Sequence, residues 1–66
     1  MADVDVDAVI PQEWMHADAV HQVVGLLRNL RVLPSKRREL YARWCLIVGI
    51  PIDPELAAYV QVVNRK

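Results

Sequence analysis

Residues 34–55 read PSKRRELYARWCLIVGIPIDPE, and their pattern decides the fold class. Leu40, Tyr41, Trp44, Cys45, Ile47 and Val48 recur at the spacing that gathers side chains on one face of a helix. Glu39 and Arg43 stand four apart on the other face, acid first, the favourable order for an ion pair along a helix. Leu46 falls on that polar face and is the one apolar residue out of place there. Pro34-Ser35 breaks the preceding pattern, and Ser35 is the expected N-cap of a helix over 36–48. Gly49 suits the left-handed position that ends a helix, with Ile50 folding back toward Cys45, and Pro51 forbids continuation. Asp53-Pro54-Glu55 then joins a capping side chain, a proline at the first helical position and an acid in the first turn. A helix is predicted from there to about Asn64, with Leu56, Tyr59, Val60 and Val63 facing inward. At about eleven residues it is marginal alone and needs docking.

Upstream, a long helix is predicted over 11–33. Pro11 suits its first position, and Glu13 complements the helix dipole. Met15, Ala19, Val20, Val23, Val24, Leu26, Leu27, Leu30 and Leu33 cover about half of its circumference, a stripe wide enough for more than one neighbour. Gly25 interrupts it, as a close crossing or a bend. In residues 1–10, Asp3, Asp5 and Asp7 alternate with apolar residues. A lone strand has nothing to pair with in this chain, so a flexible acidic tail is expected, with a strand donated to another sheet as the sharper alternative. The fold class is therefore all-α: a small three-helix bundle, a single helical domain over 11–66, with a flexible acidic N-terminal tail over 1–10.

A chain of 66 residues buries only about 60% of the surface exposed by its unfolded form. Its single cysteine, Cys45, excludes an internal disulfide, and with only two histidines a four-ligand zinc site is not assembled. Yet 55% of its residues are hydrophobic, more than so small an interior can hide. The excess predicts an interface. No apolar run approaches the roughly 20 residues of a membrane span. An acidic start is wrong for a secretory signal, and one free cysteine fits a reducing compartment, so a cytoplasmic location is expected.

Charge is sorted along the chain although the net charge is zero. Arg28, Arg31, Lys36, Arg37, Arg38 and Arg43 face a single acid, Glu39. Cations in the first turn of a helix oppose its dipole, so the cluster reads as an anion or nucleic-acid site, or else as a solvated basic turn. Against nucleic acid stand the neutral balance and a last helix with no base until Arg65. Glu13 and His16 have the spacing of a di-iron half-site but too few companions. The acidic triplet lacks the glycine and glutamate of a calcium loop, with Ala8 and Trp14 in those places. Cys45 faces the predicted core with no activating base nearby. No catalytic residues, metal or cofactor are expected, nor a small-molecule substrate.

What remains is a non-enzymatic protein-protein interaction, assembly or regulatory module. It is expected to associate with itself, as a dimer or higher oligomer through the long first helix, or with a larger protein. Trp14, Val24, Leu26, Leu33 and Leu46 are the predicted interface, with Arg37, Arg38 and Arg43 as a charged rim. Trp14 lies off the stripe, either as an exposed anchor or buried by the N-terminal turn folding back. The alternative is a small nucleic-acid-binding regulator that uses the six basic residues.

Overall fold

The computed structural model describes residues 5–62. Asp3, Val63, Asn64 and Arg65, which figure in the readings above, lie outside them. The described chain forms four α-helices: α1 (Val6–Val9), α2 (Val20–Arg28), α3 (Pro34–Val48) and α4 (Pro54–Gln61). Two single 3₁₀ turns, Gln12–Trp14 and Ala17–Ala19, lie between α1 and α2. No strand occurs among the described residues. The all-α bundle is thus as expected, and the local signals between α3 and α4 act as they should. Gly49 has φ of +81°, and the amides of Gly49 and Ile50 both donate to the Cys45 carbonyl, at 2.8 and 3.0 Å. Asp53 caps α4 by accepting from the Glu55 amide at 2.9 Å, with Pro54 at the first helical position.

The N-terminal half departs from expectation. The single helix over 11–33 is replaced by irregular chain up to Ala19 and a nine-residue α2. His16 is fully extended, and the Trp14 carbonyl accepts from the Trp44 indole N–H at 2.9 Å instead of continuing a helical ladder. At the other end Asn29 turns its side-chain amide onto the Gly25 carbonyl at 2.9 Å, a local bond that competes with helix continuation. Gly25 serves no close crossing, since a Cβ there would meet nothing within 4 Å. Val6–Val9 form α1 where a tail is expected, with Val6 and the following Ile10 in the core. Burial of two apolar side chains is what holds this acidic segment down: Asp5 and Asp7 stay exposed between them.

The core is built on α3. Leu40, Tyr41, Trp44 and Cys45 are completely buried, together with Val23 and Leu27 of α2 and Val60 of α4. α4 packs against both α3 and α2, and α1 lies on α3. The wide stripe of α2 is used inside the chain, where α3, α4 and the 3₁₀ turns cover it. Ser35 is not the cap of α3. Leu33 takes that place without a side-chain bond, because Pro34 starts the helix. Ile47 leaves the inner face and is 57% exposed. Tyr59, read as facing inward, is half-exposed beneath the Arg28 guanidinium, 4.7 Å from its ring centroid. Val62 is already extended, so α4 ends earlier than the pattern suggested.

Candidate functional site

The six basic residues do not form one site. Arg37 is buried and points inward. Its Nη1 donates to the carbonyls of Arg28 at 3.2 Å, Val60 at 3.1 Å and Val62 at 3.1 Å, and its Nε to Val32 at 3.4 Å. These carbonyls lie at or just past the C-terminal ends of α2 and α4, where helix dipoles place partial negative charge and leave acceptors unsatisfied. A cation that opposes the dipole of its own helix thus sits against the favourable ends of two others. The basic-cluster reading is corrected at this position: Arg37 is a structural clamp, and no anion reaches it.

Glu39 occupies two more of the cations. It lies 2.8 Å from Arg43 and 3.6 Å from Lys36, all on the outer side of α3. Arg28 stacks on Tyr59. Arg31 and Arg38 are exposed. The basic residues therefore divide into one clamp, one stacked pair, an acid-centred trio and two solvent-facing arginines.

The five predicted interface residues also separate. Val24 belongs to the core at 4% exposure, and Trp14 and Leu26 are half-buried against it. Of the two alternatives for Trp14, the N-terminal segment folds back and packs it. Except at Leu33, the apolar stripe is absorbed because α2 is short and covered by α3 and α4. Leu33 and Leu46 remain, at 72% and 82% exposure.

Leu46 has a neighbour that sequence reasoning missed. With Ile47, and with Val6 of α1, it lines an open groove of about 410 Å³ between α1 and the outer side of α3. Asp5 and Asp7 line the same groove from α1, and Arg43 from α3. Acid comes from the α1 side, and base together with the exposed Leu46 and Ile47 from α3. The only available signal was Leu46 on a polar face. Ile47 could not be found, because its position on the helical wheel assigns it to the core. Leu33, Tyr59 and Val62 are also exposed, and Ile52 stands on the loop before α4.

The remaining candidates for chemistry are either buried or dispersed. Cys45 is completely buried, and burial pushes its thiol up from the ordinary value of 9.0, against a smaller opposing effect from the Tyr41 hydroxyl. The Tyr41 hydroxyl accepts from the Asp53 amide at 3.1 Å, tying α3 to the start of α4, and burial raises its pKa as well. No group of three or more metal-ligating side chains exists among the described residues. None of the described helices is long and apolar enough to cross a membrane. A second cleft of about 200 Å³, lined by Asp7, Ile10, Gln12 and Met15, is smaller than the roughly 300 Å³ at which ligand sites begin.

Compared with protein-family models, with curated proteins and with solved structures, the chain matches none of them.

Proposed function

We propose that this protein is a non-enzymatic interaction module that works by self-association, and that its contact surface is the groove between α1 and α3. One observation carries the reading: Leu46 and Ile47 are adjacent in the chain, well exposed, and line one groove together. Two such residues beside a concave, charge-rimmed surface make an anchor rather than scattered surface apolarity. The long first-helix stripe has no part in it, since all of that stripe but Leu33 lies in the protein's own core or packs against it.

The same geometry weighs against the nucleic-acid alternative. Arg37 is buried on carbonyls, and Lys36 and Arg43 share Glu39. An electrostatic footprint built on the cluster therefore loses Arg37 and carries an acid, Glu39, in its midst. Retention on DNA or RNA columns at low ionic strength, falling steeply with salt, is the behaviour that would restore it.

Sedimentation equilibrium of the full chain tests the proposal. The native protein is expected to sediment as a dimer or larger at micromolar concentration, and Leu46→Asp as a monomer with an unchanged far-ultraviolet circular dichroism spectrum. A native protein that stays monomeric to millimolar concentration would reject self-association.

A further inference from the structure

The groove carries its charges in a way that selects one geometry of pairing. Asp5 and Asp7 are exposed, and neither forms an ion pair among the described residues. Arg43 turns to Glu39 on its own helix and remains half-exposed. The acidic residues on the α1 side and Arg43 on the α3 side thus line one groove without an ion pair between them.

We infer that a second copy of the chain docks in this groove across a two-fold axis that runs along its length, placing Arg43 of each copy against Asp5 and Asp7 of the other. This rests on self-association through the groove and adds its orientation. The symmetry argument is short. Two identical faces meet when one is turned over about an axis in their common plane. Turned about an axis along the groove, the acidic lining of one copy lands opposite the basic lining of the other, at both ends at once. Turned about an axis across the groove, acid meets acid and arginine meets arginine. Like charges opposed in an interface are strongly unfavourable, so the first arrangement is selected and the second suppressed.

A stable interface takes about 800 Å² from each partner, far more than Leu46 and Ile47 can offer, so the contact has to extend well beyond the groove. The exposed apolar pair supplies affinity, and the charged residues fix the orientation.

Charge exchange tests the inference. Arg43→Glu and the double variant Asp5→Lys/Asp7→Lys are made separately, each with circular dichroism to verify the fold. Each variant alone is expected to associate about tenfold or more weakly than the native chain, because both ends of its dimer become like-charged. Mixed one to one, they are expected to form a heterodimer in preference to either homodimer, since both ends are then opposite in sign. Intact-complex mass spectrometry separates the three species by mass. Raising the salt concentration should weaken the native dimer and the heterodimer alike. If the native chain dimerises and Leu46→Asp abolishes this, but the two variants show no preference for each other, the orientation is overturned while self-association stands. If the native chain is monomeric, both are overturned, and the groove belongs to a different protein.

Discussion

Arg37 and Arg43 are the same residue on the same helix, and the fold uses them in opposite ways. Arg37 lies on the inner side of α3 and closes the ends of α2 and α4 through four backbone carbonyls. Arg43 lies on the outer side, half-exposed, with one flexible acid for company. Bonds between a charged donor and neutral acceptors contribute about 1.5–3 kcal/mol each when sheltered from water. An exposed pair at this spacing contributes about 0.3–0.5 kcal/mol. The inner face of α3 therefore holds the fold, and the outer face contributes little to it. Neither role follows from charge alone: depth and the identity of the acceptor set each.

The contrast can be broken most severely at Trp44, which is fully buried and donates to the Trp14 carbonyl. Trp44→Ala is expected to destabilise the chain by about 3–5 kcal/mol, enough to unfold much of so small a protein. Chemical denaturation followed by circular dichroism reads this. Arg37→Ala comes next, at about 3 kcal/mol, because it strands carbonyls of two helix ends. Arg37→Lys should recover only part of that, since one ammonium cannot reproduce a planar fork of donors. An Arg37→Ala variant as stable as the native chain would remove the clamp from this account.

Alkaline pH probes the inner face by another route. Burial raises Cys45 above 9.0 and Tyr41 above 10.0, so both groups ionise more readily in the unfolded chain. The stability that they contribute is complete below those unfolded values and is lost as pH rises through the higher folded ones. Urea midpoints should be level near neutrality and fall above about pH 9. A midpoint unchanged to pH 11 would mean that the pair is wetter than its burial implies. The smallest effect belongs outside. Arg43→Ala should change stability by no more than about 0.5 kcal/mol while weakening association, so thermal unfolding and sedimentation should disagree about its importance.

What could be read beforehand divides along the same line between local and distant causes. The cap at Asp53, the left-handed Gly49 and the buried run Leu40, Tyr41, Trp44 and Cys45 are properties of a few neighbouring residues, and all three were legible. The clamp was not, because two of its acceptors lie 23 and 25 residues from Arg37. A cation in the wrong turn of its own helix was visible as an anomaly, but the helix ends that explain it belong to other segments. The 11–19 segment misled for a similar reason. Its apolar spacing suits a helix, yet the Trp44 indole bond to Trp14 and the docking of Val6 and Ile10 draw it into turns. At the candidate site only Leu46 stood out. Asp5 and Asp7 were noticed as a charge pattern, but their place beside α3 depends on α1 folding down, which an acidic segment does not advertise.

The most direct test of an inner face that folds and an outer face that binds is residue-by-residue amide NMR as the protein is concentrated. Shifts are expected to move at Asp5, Val6, Asp7, Arg43, Leu46 and Ile47, and to stay still at Arg31, Leu33 and Tyr59. Signals that do not move at any concentration, or that move only around Leu33, Tyr59 and Val62, would contradict it.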